Sequence, residues 1–169
     1  GLPGVIIDRF GDVAVIQPNA AWAEVLINEI SAALADVTGV SVIIKNGTGR
    51  TRSLEGLPEE TVVLRGEITD AVPVQMNGAT YFADLTQGQK TGLFLDQRDN
   101  QAFAAKLAKE GRVLDVFSHV GGFALAALAA GASSADAVDG SAAALDLATR
   151  GASASGFAGQ FATIKGDAF

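Results

Sequence analysis

The sequence predicts an α+β module followed by an α/β region, with domains at residues 1–84 and 85–169. In the first domain, short apolar runs are separated by turn signals, and only one long stretch has helical periodicity. In the second, strand and helix patterns alternate as β-α-β-α-β, with a carboxylate at or near the end of each strand. This alternation is typical of one nucleotide-binding half of a doubly wound fold.

The first domain is predicted to place one helix against an antiparallel sheet. Residues 5–10 and 13–17 form a hairpin about Gly11-Asp12, and a helical period begins at Ala21 and ends at the cap Gly39. Residues 72–76 and 79–84 form a second hairpin about Asn77-Gly78. Further strands are predicted at 40–44 and 61–65, and a loop at 48–60.

The second domain opens with a polar, glycine-rich segment. Residues 87–92 combine amides, a lysine and a hydroxyl. They are followed by the apolar residues 93–95, by Arg98 and by a predicted helix at 101–109. Burial of such groups without a partner is costly, which favours a ligand contact. A connecting hairpin with exposed polar groups remains an equal alternative.

Residues 111–123 organise the rest of the second domain. Strand 113–116 carries Asp115 near its end, and the loop that follows ends in Gly121-Gly122. Parallel sheets bind nucleotide-like ligands at this edge, where glycine lets the backbone approach the ligand. Two further strands lead to Asp139 and to Asp167. Helices are predicted at 124–130 and 142–154, and strands at 135–139 and 161–164. Ser141 is the predicted N-cap of the second helix, and Gly151 is unfavourable within it.

Composition excludes several classes of protein. With 169 residues, 49% hydrophobic and 18% charged, the chain is predicted to be globular. No apolar run reaches the ~18 residues of a membrane helix, and the first residues lack a signal-peptide pattern. The chain has no cysteine and one histidine, which excludes disulfides, thiolate metal sites and histidine-rich clusters. We expect a cytoplasmic protein without a metal site.

Charge leaves one question open. The net charge of −7 has the wrong sign for a protein whose whole surface binds phosphates. A local basic patch of Lys45, Arg50, Arg52 and Arg65 is still compatible with the sequence. Charge pattern alone favours a solvated loop for this cluster.

The three strand-end carboxylates favour a cationic nucleoside over a dinucleotide. A dinucleotide site requires G-x-G-x-x-G after the first strand, and only Gly121 and Gly122 are present, which disfavours an NAD-dependent oxidoreductase. S-adenosylmethionine carries no phosphate, and its ammonium, sulfonium and ribose diol suit acidic partners. Asp115 would hold its methionine end, Asp139 its ribose hydroxyls and Asp167 its adenine amino group.

Two other side chains are candidates near this site. The carboxylate of the cofactor needs a donor, and Arg98 or Lys90 could supply it. His119 is a lone loop histidine, and a histidine without an orienting partner is weak evidence for catalysis.

One string of residues carries a resemblance to a known family. It reads Gln89-Lys90-Thr91-Gly92-Leu93-Phe94-Leu95-Asp96-Gln97-Arg98-Asp99-Asn100. This string resembles the signature of the bacterial ribosomal RNA large subunit methyltransferase I family, which uses S-adenosylmethionine to methylate cytosine C5 in 23S rRNA. Residues 113–123 are similar to the family's first cofactor motif, and residues 1–12 to the start of its central α+β domain. The chain departs at His119-Val120, where the family usually has Tyr-Thr.

The resemblance implies a fold and a set of cofactor contacts. The second domain would be the N-terminal half of a Rossmann-like class I methyltransferase fold, truncated. No catalytic residue and no metal ligand is predicted. The predicted cofactor-binding residues are Gln89, Lys90, Thr91, Gly92, Gln97, Arg98, Asp115, Phe117, Ser118, Gly121, Gly122, Phe123, Asp139, Asp167 and Phe169.

The family pattern also contains parts that these residues lack. Family members carry an RNA-binding PUA domain before the matched region, and a D-P-P-x-F motif and a catalytic cysteine after it. We therefore expect a fragment of an RNA-binding methyltransferase whose full-length form has ribosomal RNA as its partner. The fragment itself is expected to bind S-adenosylmethionine without methylating RNA. The strand order 3-2-1 leaves strand 113–117 as an unpaired apolar edge, which predicts self-association or a homodimer. A non-catalytic RNA-docking or dimerisation module is the alternative, and calorimetry with the cofactor discriminates the two.

Overall fold

The computed structural model describes residues 1–86 and 92–167, without the side chain of Arg50. Its contacts divide into two compact units. The first comprises Gly1–Val72 with the described residues of Asp84–Gly92, and the second comprises Pro73–Ala83 with the described residues of Leu93–Phe169.

The first unit is a four-stranded sheet with helices in its connections. The strands are β1 (Val5–Phe10), β2 (Val13–Pro18), β3 (Val42–Gly47) and β4 (Glu60–Arg65), and they lie in the order β1-β2-β3-β4. The helices are α1 (Ala21–Val25), α2 (Ile27–Thr38) and α3 (Arg50–Leu54). The predicted hairpin is confirmed, with Phe10 opposite Val13.

Three details of the first unit differ from the sequence prediction. The sheet is mixed, because α1 and α2 form a crossover that returns β3 parallel to β2. The single predicted helix is interrupted at Leu26, whose φ of −100° and ψ of 18° are not helical. The loop predicted at 48–60 contains α3, a helix too short to show a period in sequence. The cap at Gly39 is confirmed by its left-handed φ of 71°.

The basic cluster considered for phosphate binding is largely internal. Lys45 Nζ contacts Glu24 Oε1 at 2.8 Å and Glu60 Oε1 at 2.5 Å, and Arg52 Nη1 contacts Glu24 Oε2 at 2.9 Å. Arg52 is fully buried and also donates to the carbonyls of Pro18 and Pro58. Lys45 and Arg52 therefore belong neither to a basic surface patch nor to a solvated loop, because both side chains are buried in ion pairs.

The second unit contains a parallel sheet and a separate hairpin. Strands β7 (Arg112–Val116), β8 (Ser134–Asp139) and β9 (Phe161–Lys165) are parallel in the order β7-β8-β9. They alternate with α5 (Gly122–Ala129) and α6 (Ala142–Ala154), which confirms the β-α-β-α-β prediction. The hairpin is β5 (Val72–Met76) with β6 (Ala79–Ala83), and a 3₁₀ turn (Leu95–Gln97) precedes α4 (Arg98–Leu107).

Small apolar side chains form the core beneath the parallel sheet. Ala124, Ala127 and Leu128 of α5 pack with Leu145 of α6 against Ala135 and Ala137 of β8. The opposite face of the sheet is more open, since Leu114 is 64% and Ile164 50% exposed. In the described part of the chain β7 pairs only with β8, so it is an edge strand, as predicted.

The β5–β6 hairpin groups with the second unit, whereas the sequence division at residues 84 and 85 put it in the first domain. The reason is visible at Gly151 in α6, where an added Cβ would lie 2.8 Å from the Thr80 carbonyl oxygen and 2.9 Å from Leu125 Cδ1. Glycine is unfavourable inside a helix by ~1 kcal/mol relative to alanine. Here it permits β6 to pack directly on α6.

Candidate functional site

The loop between β7 and α5 has a constrained backbone. The φ angles of Phe117, His119 and Gly121 are 60°, 51° and 77°, all in the left-handed region that most side chains disfavour. The Ser118 amide donates to the Val138 carbonyl at 3.0 Å, which ties the loop to β8. Clusters of such backbone angles are typical of binding sites, where the surrounding structure stabilises them.

Asp115 joins the strand to the helix that follows the loop. Its Oδ2 accepts from the Ala124 amide at 2.9 Å, and it also accepts from the Phe123 amide, in the first turn of α5. Burial raises the pKa of Asp115, the two amides oppose that rise, and the charge of Asp139 adds to it. The carboxylate therefore orients the start of α5.

Asp139 joins the same loop to the next helix. Its Oδ2 accepts from the His119 amide and its Oδ1 from the Ser141 amide, both at 2.8 Å. Ser141 in turn accepts from the Ala144 amide, which confirms it as the N-cap of α6. Asp139 thus fixes the positions of two loops at the carboxyl edge of the sheet.

A cleft of about 270 Å³ lies at this edge. It is formed by residues at the carboxyl ends of all three parallel strands, where open α/β sheets bind their ligands. Its lining residues are Phe117, Val138, Asp139, Gly140, Gly166 and Asp167. The Gly166 amide donates to the Asp139 carbonyl at 3.2 Å and brings the end of β9 beside that of β8.

Two polar side-chain atoms of the loop have no hydrogen-bond partner among the described residues. They are Ser118 Oγ and His119 Nδ1, and both are buried. The His119 ring contacts Phe94 edge to face, with ring centroids 5.2 Å apart. Burial lowers the pKa of His119, although the charge of Asp139 opposes this. Burial at this position therefore favours the neutral form of the imidazole.

The β5–β6 hairpin packs against the start of α5 and supports it. The hydroxyl of the fully buried Tyr81 donates to the Gly122 carbonyl at 3.2 Å. An added Cβ at Gly122 would lie 2.5 Å from Gln101 Nε2, so this position accommodates only glycine without rearrangement. Asn77 Nδ2 donates to the Arg98 carbonyl at 3.0 Å. No local pattern in the sequence indicates where a hairpin packs, so the supporting role of Tyr81 could not be predicted from it.

The structure brings together the predicted residues that follow the three strands. Phe117, Asp139 and Asp167 line the cleft, and Ser118 and Gly121 lie in the adjoining loop. Gln97 and Arg98 lie at the start of α4. Gly92 belongs to the first unit, and a Cβ added to Gly92 would lie 2.7 Å from the Asp84 carbonyl oxygen. The predicted residues outside the described part of the chain are Gln89, Lys90, Thr91 and Phe169. The cleft is also lined by three residues that were not predicted, Val138, Gly140 and Gly166. Each is next to Asp139 or Asp167 in the sequence, and this adjacency is the signal by which they could have been predicted.

Residues 1–86 and 92–167 contain neither a membrane-spanning helix nor a cluster of metal ligands. No helix there is long and apolar enough to cross a membrane. Within the same ranges, no group of three or more histidine, aspartate or glutamate side chains could hold a metal ion.

Comparisons with known proteins agree with this arrangement. Residues 48–160, more than half of the chain, match the family model described as S-adenosylmethionine-dependent methyltransferase. The chain is 43% identical over 150 residues to the ribosomal RNA large subunit methyltransferase I of Pseudoalteromonas atlantica, covering 89% of this chain and 38% of the relative. It is 40% identical over 157 residues to the protein of the same name from Aeromonas salmonicida, covering 92% and 40%.

A solved structure shows the same fold. The methyltransferase-like protein SMU.776, solved in complex with SAH, aligns with a TM-score of 0.81 at 25% sequence identity. The alignment covers 98% of this chain and 42% of that chain. The present chain therefore spans about two fifths of the length of the relatives that it matches.

Proposed function

Because the chain belongs to the S-adenosylmethionine-dependent methyltransferase family, we propose that its second unit binds that cofactor at the carboxyl edge of β7, β8 and β9. The observation that carries the proposal is the cleft formed by Phe117, Asp139 and Asp167. Its walls combine an exposed aromatic ring with carboxylates, which suits the adenine and ribose of a nucleoside. When bound, S-adenosylmethionine supplies an activated methyl group on a sulfonium ion.

The residues of this chain have separate tasks in the proposed site. Asp139 accepts hydrogen bonds from the ribose hydroxyls with the lone pairs that His119 and Ser141 leave available. Phe117, 63% exposed and held at a positive φ, presents its ring to the adenine. Asp167 receives the adenine amino group.

Other predicted contacts lie around the β7–α5 loop and its neighbours. Asp115, Gly121, Gly122 and Phe123 shape the loop for close approach of the methionine end, and Gln97 and Arg98 flank that end. We also assign Gly92 and the residues outside the described ranges, Gln89, Lys90, Thr91 and Phe169, to cofactor contact, on the resemblance of residues 89–100 to the family signature.

Calorimetry with S-adenosylmethionine and S-adenosylhomocysteine tests the proposal. We expect saturable binding that Asp139→Asn weakens at least about 10-fold, since it removes a charge-assisted acceptor. Asp136→Asn, on the same strand but outside the cleft, is the matched control and should bind normally. Absence of heat with either ligand, or equal affinities for the two variants, would contradict the assignment.

For the whole protein we propose methylation of 23S ribosomal RNA at cytosine C5, in the cytoplasm. The support is the identity of about 40% with two enzymes named ribosomal RNA large subunit methyltransferase I. The 169 residues contain no cysteine to attack C6 of cytosine, so this chain alone is expected to bind cofactor without methylating RNA. Transfer of a labelled methyl group to 23S rRNA by the whole protein, followed by nucleoside mass spectrometry, checks the base.

We further propose that the chain self-associates through the β7 edge. Leu114 and Val116 expose apolar surface there, and an edge strand offers unpaired backbone groups to a second strand. Leu114→Lys should lower the apparent mass measured by light scattering, whereas Val37→Lys, on exposed α2 in the first unit, should not. A concentration-independent monomer would contradict this proposal.

A further inference from the structure

An apolar groove of about 460 Å³ lies in the first unit, where residues of β1, α1 and α2 form its walls. Eight of its nine lining residues are apolar, and the ninth is Glu29. Several of them are open to solvent, since Leu2 is 52% and Val37 is 85% exposed. On a soluble protein, a contiguous exposed apolar surface marks an interaction site.

The spacing of the lining residues along α2 indicates the shape that fits this groove. Four of them follow one another at intervals of four, three and four residues, and they are Leu26, Ile30, Ala33 and Val37. This is heptad spacing, by which one helix packs its side chains between those of a second helix. The small side chain of Ala33 leaves room at the middle of the row for a larger one. The row therefore fits a helix of about the length of α2, which is about 18 Å.

One flank of this row is acidic. Glu29 and Asp36 are seven residues apart, and each directly precedes a residue of the row, so both lie on the same side of it. The other flank belongs to the core of the unit, where Ile27 is buried. Between Arg9 and Lys45 the sequence contains no lysine or arginine, and neither of these two cations lines the groove. The flanking positions of a bound helix therefore face carboxylates.

This charge pattern selects among the possible occupants of the groove. A second copy of α2 would bring Glu29 and Asp36 against the same two carboxylates, and like charges that face each other across an interface cost several kcal/mol. The phosphates of RNA are disfavoured for the same reason, and they have no apolar surface for the row to bury. A helix with apolar residues in heptad spacing and lysine or arginine on its flank satisfies both features.

We propose that this groove binds a basic amphipathic helix of a partner protein. Trp22 supplies an anchor for it, because its indole lines the groove and its Nε1 donates to the Pro3 carbonyl at 3.1 Å, which fixes the ring. Tryptophan is enriched among the residues that contribute most to binding at protein interfaces. The cofactor cleft is lined by none of these residues, so the proposal does not depend on cofactor binding.

The fluorescence of Trp22 tests the proposal directly, because it is the one tryptophan of the chain. The probe is a synthetic helical peptide of about two heptads, with leucine at the a and d positions and lysine at the others. We expect its addition to shift the emission to shorter wavelength in a saturable manner. A peptide with glutamate in place of every lysine should bind about 10-fold or more weakly. Added salt should weaken binding of the lysine peptide.

Two neighbouring alanines of α2 provide a matched pair of variants. Ala33→Lys places a cation within the row and should weaken binding of the lysine peptide about 10-fold or more. Ala32→Lys makes the same change at the preceding residue, which is also exposed but does not line the groove, and should bind within about 2-fold of the wild type. The comparison of the two peptides uses the wild-type chain, so it does not depend on the folding of a variant.

Each other outcome overturns the proposal in a recognisable way. Equal affinity for the two peptides would show that charge does not select the partner. No shift with either peptide, or equal effects of the two variants, would show that the groove is not the docking site. An emission shift that depends on protein concentration alone, and that Ala33→Lys abolishes, would assign the groove to a second copy. If the whole protein fails to bind the peptide that this chain binds, the rest of that protein covers the groove.

Discussion

Each unit contains a polar cluster near the ends of parallel strands, and the two clusters differ in the partners of their carboxylates. In the first unit, Glu24 forms ion pairs with Lys45 and Arg52, and Lys45 also contacts Glu60. In the second unit, Asp115 and Asp139 accept from backbone amides, and neither belongs to an ion pair within the described residues.

The pKa directions follow from this difference. Burial alone would raise the pKa of Glu24, but hydrogen bonds from Lys45 and Arg52 outweigh it, and the pKa is lowered. Burial raises the pKa of Asp115, and backbone amides only partly oppose that rise. A carboxylate paired with a cation of its own chain stabilises the fold, whereas one held by amides alone retains negative potential for a cationic ligand.

The largest expected effect is the loss of stability on removal of the buried Arg52 guanidinium in the first unit. Arg52→Met leaves the carbonyls of Pro18 and Pro58 without their donor and removes one partner of Glu24. Breaking a buried ion pair from one side costs about 3–5 kcal/mol. Urea unfolding measures the loss, with the exposed Arg65→Met as a control expected to change stability by less than about 0.5 kcal/mol. A loss no larger than that of the control would mean that Arg52 does not stabilise the unit.

An identical chemical change in each cluster sharpens the comparison. Glu24→Gln leaves two buried cations with less compensation and should destabilise by about 2–3 kcal/mol. Asp115→Asn keeps an acceptor for the Ala124 amide and removes a desolvated charge, so stability should change by less than about 1 kcal/mol. Its affinity for S-adenosylmethionine should nevertheless fall about 10-fold. Unfolding and calorimetry on both variants decide this, and equal stability losses would break the contrast.

The two carboxylates should also give opposite pH dependence of stability. The stabilisation from Glu24 is present above its ordinary pKa of 4.5 and is lost as the pH falls through its lower folded pKa. Asp115 contributes in the opposite sense, because its folded pKa is raised above 3.8. Ionisation of Asp115 therefore destabilises the folded protein, and this destabilisation disappears as the pH falls through the folded pKa.

The free energy of unfolding, measured at steps between pH 3 and pH 7, checks this prediction. Glu24→Gln should lose less stability on acidification than the wild type, and Asp115→Asn should lose more. Parallel pH profiles for all three proteins would contradict it.

The smallest expected effect on cofactor affinity is at Tyr81, which packs against the start of α5. Tyr81→Phe removes the hydrogen bond to the Gly122 carbonyl without opening a cavity, which should cost about 0.5–1.5 kcal/mol. Because the loop remains attached through Asp115, cofactor affinity should fall less than in Asp115→Asn. Phe82→Leu on the same strand is a control for packing, and a larger affinity loss in Tyr81→Phe than in Asp115→Asn would reverse the proposed ranking.

Features that depend on short stretches of chain could be predicted from the amino-acid sequence alone. The order of strands and helices from 112 to 165, the cap at Gly39 and the N-cap at Ser141 follow from periodicity and local hydrogen bonding, and all three are found in the structure. The strand-end carboxylates were also readable, because parallel strands bring their carboxyl ends to one edge.

Features that depend on residues far apart in the chain could not be predicted from the sequence and are visible only in the folded protein. The crossover through α1 and α2 makes the first sheet mixed, and a helical period contains no information on strand direction. Lys45 and Arg52 resembled surface cations in sequence, since their partner Glu24 lies more than 20 residues away. Gly151 looked unfavourable in sequence because the strand that requires it, β6, approaches α6 only through folding.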